Sequence, residues 1–199
     1  VKLYLARGAC SLSPHIALVE SGLSFETEKV DLRSKMTAGG QDYREINPKG
    51  SVPALLLDNG EVLTEGPAIV QYIADQKPEK RLAPPAGTLA RYRLQEWLNY
   101  ISSELHKGFA PLFRPDLTDD AKKAAVAAFE TKLDFVANKF EDRDYLLGSE
   151  FSVADGYLFT VLSWTKFAGI DLAKWPGIKA FVDRVGARPG VQAAQKAEM

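Results

Sequence analysis

Residues 47–75 read NPKGSVPALLLDNGEVLTEGPAIVQYIAD. The apolar run at 52–57 predicts a short buried strand. Asp58-Asn59-Gly60 offers residues that accept positive φ in a tight hairpin. Residues 61–63 then make the return strand. Thr64 stands where a helix cap stands, and Pro67 suits the first helical turn. Ala68, Ile69, Tyr72 and Ile73 follow at helical spacing. The stretch therefore predicts strand, hairpin, strand and helix. Pro53 is the odd residue, because proline donates nothing to a sheet ladder and belongs at a strand start or edge. The residues alone leave two readings. One is an ordinary trans edge proline; the other is a cis Val52–Pro53 bond that turns the Val52 backbone groups toward an extended ligand.

Upstream, residues 1–5 alternate like a strand. The segment Gly8-Ala9-Cys10-Ser11-Leu12-Ser13-Pro14-His15 comes next. Ser13 and Pro14 read as N-cap and first helical residue, and Gly22 closes that helix. Cys10 then lies just ahead of a helix N-terminus, where a thiolate is stabilised and its pKa lowered. The opposing reading is an inert buried cysteine. Tyr4 and Ser11 are nearby alternatives for activating a thiol, and His15 reads as structural. Residues 25–32 read as a second strand. Residues 33–46 read as a polar loop with a short helical stretch near 42–46. The order βαβ then ββα fits a thioredoxin-like layout over residues 1–76. Residues 77–87, KPEKRLAPPAG, carry the prolines and charges of a linker.

From residue 88 onward no segment reads convincingly as strand. Residues 88–107 predict one long helix with Leu94, Leu98, Ile101 and Leu105 on one face. Its polar stripe includes Gln95, Asn99, Ser102, Ser103 and His106. His106 is one of two histidines. It reads either as a site residue or as a structural histidine near a helix end set by Gly108 and Pro111. Residues 118–141 predict a second amphipathic helix. Ser152 and Asp155 form a capping-box pattern ahead of an apolar run. The expected hydrophobic staple is imperfect, with Phe151 present but Gly156 at its partner position. Leu158, Phe159, Val161, Leu162 and Trp164 make that helix apolar almost all round, hence the core of this half. Further helices open at Pro176 and Pro189.

The chain has 199 residues, 46% apolar and 26% charged, with a formal net charge of −1. That balance gives no electrostatic case for nucleic acid or an anionic membrane surface. No apolar run approaches membrane-spanning length. Residues 1–20 lack a cationic leader followed by an apolar core. A single cysteine excludes an internal disulfide and fits a reducing, cytoplasmic setting.

Several of these motifs together resemble a known family. V-P-A-L, the hairpin, T-E-G and the following helix are similar to the glutathione-binding half of the glutathione transferases. K-L-Y-x-x-x-G-A-C-S-L-S-P-H at 2–15 and S-E-L-H-K-G at 103–108 resemble its bacterial beta class. Cys10-x-x-Ser13 also resembles a thioredoxin-type redox motif that has lost its second cysteine. The resemblance implies an α/β thioredoxin-like domain at 1–76, a linker at 77–87 and an all-α domain at 88–199 that contributes the electrophile pocket. It implies glutathione as co-substrate, no metal, and a cytoplasmic homodimer acting in detoxification. Pro53 would be cis, and the Val52 backbone would pair the cysteinyl part of glutathione. Glu65 and the N–H of Gly66 would hold the γ-glutamyl group, which suits a carboxylate facing an ammonium and a helix N-terminus facing a carboxylate. Lys35 would pair the glycine carboxylate, against the plain reading of a solvated lysine.

In that class Cys10 occupies the position that other classes fill with Tyr or Ser. Cys10 and His106 would be catalytic and would also contact glutathione. Asn99, Ser103 and Glu104 would lie near its γ-glutamyl end, some reaching across the dimer. Lys107 would approach the second-substrate pocket. The activity implied is transfer of the glutathione thiol to small, mostly apolar electrophiles. Glutathione-dependent reduction or dehalogenation at Cys10 is a further branch. The rival class is a non-catalytic carrier of apolar ligands with a glutathione site.

Overall fold

The computed structural model describes residues 1–199. The first half runs β1 (Lys2–Leu5), α1 (Leu12–Ser21), β2 (Glu26–Asp31), β3 (Met36–Thr37), β4 (Ala54–Leu56), β5 (Val62–Thr64) and α2 (Gly66–Gln76). The sheet order is β3-β2-β1-β4-β5. β1 pairs parallel with β2 across the α1 crossover, and antiparallel with β4. β4 and β5 form the expected hairpin, with Leu55 opposite Leu63. The thioredoxin-like βαβ–ββα layout is therefore present. The short edge strand β3, which pairs Val30 with Thr37, lies inside the segment read as loop. Two residues are too few to show a strand period.

Two helix starts differ from expectation. α1 begins at Leu12, with Ser11 rather than Ser13 at its cap. The Ser11 hydroxyl faces away from the helix, accepting from the Ala6 N–H at 3.1 Å and donating to the Ala6 carbonyl at 3.2 Å. Pro14 is thus the third helical residue, where its missing N–H still costs no intrahelical bond. α2 begins at Gly66, and Thr64 belongs to β5. Glu65 takes the cap position at φ 69°, a left-handed value for a residue with a Cβ. That sharp turn brings the N-terminus of α2 beside the start of β4.

The second half is helical: α3 (Leu89–Tyr100), α4 (Asp119–Ala137), α5 (Val153–Leu162), α6 (Thr165–Ala168), α7 (Pro176–Gly186) and α8 (Pro189–Glu198). Thr88 caps α3, its hydroxyl accepting from the Arg91 N–H at 3.2 Å. The helix continues through residue 107 as expected, but not as α-helix throughout. Residues Ile101–His106 adopt a π-helix, a wider and rarer turn that recurs at functional sites. Lys132 of α4 supports it, donating to the Glu104 carbonyl at 3.0 Å and its carboxylate at 2.9 Å. The leucine spacing alone does not distinguish this turn from an α-helix.

α5 is the centre of the molecule, with every residue buried. Fully burying a Leu or Val side chain contributes about 1.5–3 kcal/mol, and Leu158, Val161 and Leu162 are each 0% exposed. A Cβ at Gly156 would stand 3.5 Å from both Ile16 Cγ2 and Phe151 Cζ. Those are ordinary contact distances, so the Phe151 ring and α1 pack on the α5 backbone at Gly156 with room for a Cβ and little more. Asp155 holds the helix start. Its carboxylate accepts from the Leu146 N–H at 2.8 Å, the Ser152 N–H at 2.8 Å and the Ser152 hydroxyl at 2.7 Å. Burial pushes this carboxyl up to about 6, and the donors from Leu146 and Ser152 pull against that rise.

His15 is structural, as read from the sequence. Its Nδ1 lies 3.0 Å from Glu198 Oε1 with both side chains buried, and the pair docks α8 on α1. No helix is long and apolar enough to cross a membrane.

Removing the Asp155 carboxylate strands two buried N–H groups. Asp155→Ala should therefore cost about 2–4 kcal/mol in urea unfolding. A loss under about 0.5 kcal/mol would contradict this role for the cap.

Candidate functional site

A cleft of about 890 Å³ lies between the two halves. Cys10, Lys35, Val52, Pro53, Glu65, Gly66 and His106 all line it. Sequence positions far apart thus converge because the loop before α1, the head of β4 and the N-terminus of α2 share one end of the sheet. The Val52–Pro53 bond is cis, which resolves the two readings of Pro53. The loop before it is pinned at Ser51, whose carbonyl accepts from the Tyr43 hydroxyl at 3.0 Å and from Asn47 Nδ2 at 2.7 Å. Lys35 sits at φ 61° and donates to the Gly50 carbonyl at 2.8 Å. Lys49 pairs with Glu65 and also donates to the Thr64 hydroxyl.

Cys10 departs from the expected low-pKa thiol. Its S–H donates to the Val52 carbonyl at 3.2 Å. Burial pushes the thiol up to about 11, outweighing the opposite pull of the Cys10 and Ser11 backbone amides, and the Glu65 carboxylate adds to the rise. The helix N-terminus is present, but desolvation of a thiolate beside a carbonyl oxygen costs more than those amides return. Ser11 is fully buried and committed to Ala6. Tyr4 packs 5.7 Å from the Tyr43 ring on the sheet and is outside the cleft lining. Neither is placed to activate a thiol in the cleft.

On the helical side His106 Nδ1 lies 2.7 Å from the Tyr157 hydroxyl. Its ring meets Trp164 edge-on at 4.9 Å. Burial lowers the His106 pKa and raises that of Tyr157, so both are neutral at pH 7. Tyr157, Ser102 and Trp164 also line the cleft, and the sequence reading missed them as site residues. One signal was available for Tyr157: a phenol on an otherwise apolar buried helix needs a polar partner.

Asn99, Ser103, Glu104 and Lys107 do not line the cleft of the single chain. Asn99, Ser103 and Lys107 are exposed. Glu104 is paired with Lys132 at 2.9 Å. No group of His, Cys, Asp and Glu side chains is gathered as for a metal ion.

A half-buried thiol at the head of a thioredoxin-like sheet faces a helical half across a cleft, the layout of a two-domain thioredoxin-like protein. Residues 8–76 match the glutathione S-transferase N-terminal domain, and residues 100–189 match the glutathione S-transferase C-terminal domain. The chain is 48% identical over 198 residues to glutathione S-transferase GstA of Escherichia coli O157:H7, covering 100% of this chain and 98% of that protein. Among solved structures it is similar to BphK, a bacterial enzyme of this kind captured as a ternary complex, at 58% identity and TM-score 0.97, over 100% of this chain and 99% of that one. A sphingomonad glutathione S-transferase complexed with glutathione matches at 49% identity and TM-score 0.96. The beta-class enzyme of Sphingomonas chungbukensis matches at 50% and 0.95. Both comparisons cover 100% of this chain and 98% of the other. The chain belongs to the glutathione S-transferases, in their bacterial beta class.

The thiol geometry makes a kinetic prediction. Alkylation of Cys10 by iodoacetamide in the ligand-free protein should keep rising, about tenfold per pH unit, from about pH 7 to about pH 10. A plateau below about pH 8.5, the ordinary thiol range, would show a stabilised thiolate instead.

Proposed function

We propose that this protein joins the thiol of glutathione to small, mostly apolar electrophiles in the cleft between its halves. In this reading residues 1–76 bind glutathione, residues 77–87 link, and residues 88–199 contribute the electrophile pocket. The single observation that carries it is the convergence of Cys10, cis-Pro53, Glu65–Gly66 and Lys35 on one cleft. Each matches one part of glutathione. The N-terminus of α2 suits its α-carboxylate, and Glu65 suits its α-ammonium. The Val52 backbone suits the cysteinyl amide, and Lys35 the glycine carboxylate. The sulfur then falls near Cys10 and His106.

The raised pKa of Cys10 bears on mechanism. A protonated Cys10 can turn its S–H from the Val52 carbonyl to the glutathione sulfur and stabilise that sulfur as a thiolate. This supports hydrogen bonding over a mixed disulfide, and so conjugation or dehalogenation over thiol–disulfide reduction. The thiolate pair forms the new C–S bond, and the leaving group departs with its own pair. Neutral His106, held by Tyr157, supplies a dipole at the same place. Holding both reactants in one cleft provides the orientation that speeds the encounter. The carrier reading is not favoured, because an apolar ligand needs neither group beside it. A reducing cytoplasm and a detoxifying role are consistent with the lone thiol.

We further propose a C2 homodimer. Trp97, Tyr100 and Phe135 form a part-exposed aromatic cluster ringed by Arg93, Lys139 and Arg143, a composition enriched at interfaces. It lies on α3 and α4 outside the cleft. A partner there gives Asn99, Ser103 and Glu104 a second site to face, since a C2 contact uses the same patches twice. Lys107, exposed just past the π-helix and outside the cleft lining, takes no part in this reading.

Two measurements test these readings. Glu65→Ala should raise the KM for glutathione about tenfold with kcat kept within about twofold, because the carboxylate holds a part remote from sulfur. A large fall in kcat with unchanged KM would reject that role. Light scattering should give a dimer at micromolar concentration, with glutathione affinity falling on dilution to monomer. A monomer with full affinity would remove the case for Asn99, Ser103 and Glu104.

A further inference from the structure

Arg7, Lys35 and Lys49 are the cations that line the cleft. Lys35 is held by the Gly50 carbonyl and Lys49 by Glu65. Arg7 is exposed and pairs with nothing. Every other arginine except Arg33, which lies outside the cleft, holds a carboxylate. In the transferase reading the charges of glutathione already have partners in Lys35, Glu65 and the N-terminus of α2. Arg7 is left over, three positions before Cys10.

The helical side of the same cleft is aromatic, with Phe113, Trp164 and Phe167 in its lining. The carbonyl of Gly8, next to Arg7, accepts from Trp164 Nε1 at 2.9 Å. That bond ties the loop carrying Arg7 and Cys10 to the helical wall. Trp164 stands edge-on to Phe113 at 6.2 Å as well as to His106. Phe113 and Phe167 line the cleft yet remain 52% and 68% exposed. Lys166 Nζ stands 4.8 Å over one face of the Phe167 ring, so Phe113 and the other face of Phe167 are the aromatic surface left for a planar ring. An unpaired guanidinium on the adjoining loop adds a fork that matches a carboxylate. The only carboxylate lining the cleft, Glu65, is paired with Lys49 and does not compete for Arg7.

We propose that the preferred electrophile is an aromatic compound bearing an anionic group, its ring against Phe113, Trp164 and Phe167 and its anion on Arg7. The proposal rests on the transferase reading and specifies its second substrate. For an activated aryl chloride the glutathione sulfur donates the pair of the new C–S bond, and chloride leaves with the pair of the C–Cl bond. Arg7 is a specificity residue in this scheme and touches the substituent rather than the reacting carbon.

The test compares para-chloro-dinitrobenzoate with its uncharged carboxamide, each rate divided by its uncatalysed rate with glutathione. The wild-type protein should favour the benzoate about fivefold in kcat/KM, the size of a cation–anion pair still reached by water. Arg7→Gln should bring the ratio to about one, and Arg7→Lys should restore part of it. Added salt should compress the wild-type ratio. A wild-type ratio of about one, or an unchanged ratio in Arg7→Gln, overturns the proposal. The unchanged ratio is also what a role for Arg7 in holding glutathione would give, because both substrates would then suffer alike. Calorimetric titration of the chloride-free dinitrobenzoate and dinitrobenzamide into the glutathione-loaded protein makes the same comparison without chemistry. Absence of turnover with both chloro compounds counts against the transferase reading, and the binding ratio then decides the role of Arg7.

Discussion

The packing of α1 on α5 is the constraint on which the rest depends. Gly156 has no side chain, and the space beside it is shared by Ile16 from the first half and Phe151 from the second. A Cβ there would meet both at ordinary contact, and a side chain beyond a methyl would press against them. Because the two helices meet so closely, the loop ahead of α1 sits within reach of the residues just beyond the C-terminus of α5. Trp164 can then bond Gly8, and Tyr157 can hold His106 at the cleft. The buried His15–Glu198 pair and the Leu82 carbonyl, which accepts from the Val153 N–H at 2.9 Å, fasten the same seam from other sides. The cleft is the open end of this seam. Its shape follows from packing that has no chemistry of its own.

Two opposing effects act on the thiol that this seam brings into the cleft. A helix N-terminus favours its anion; burial against the Val52 carbonyl favours the neutral form. Burial wins because the sulfur is half-buried against the sheet and its hydrogen-bond partner, the Val52 carbonyl, is an acceptor. The balance belongs to the unliganded protein. Glutathione brings backbone groups for Val52 and an anion for the Cys10 S–H. The same residues that keep Cys10 protonated when alone thereby become suited to another sulfur. In the proposed reaction the site cysteine is a donor to the nucleophile rather than the nucleophile itself.

Much of the fold was legible in the sequence because its signals are local. The hairpin after Pro53 announced itself through Asp58-Asn59-Gly60, and the cap of α5 through Ser152 and Asp155. The apolar run of α5 marked the core. Features set by tertiary contact were not legible. The π-turn at residues 101–106 depends on Lys132 from another helix, and the cap of α1 depends on Ser11 reaching back to Ala6. Of the candidate site, the residues carried by contiguous motifs, Cys10, Val52–Pro53, Glu65–Gly66 and His106, line one cleft. The desolvation that pushes the Cys10 thiol up was not legible, because position before a helix is visible in sequence and burial is not. Trp164 was read as core, and it is both core and cleft lining, as is Tyr157. Arg7 gave no sequence signal at all, since a lone arginine in a loop is ordinary.

The central claim is that the anionic sulfur in this cleft belongs to glutathione and not to Cys10. Proton release on glutathione binding tests it most directly, by calorimetry near neutral pH in buffers of different ionisation enthalpy. Free glutathione carries a neutral thiol there, and Cys10 keeps its own proton throughout. Close to one proton should therefore be released per bound glutathione, as its thiol ionises against the Cys10 S–H. Binding with no proton release would contradict the claim, and would mean that the bound sulfur stays neutral or that Cys10 was the thiolate from the start.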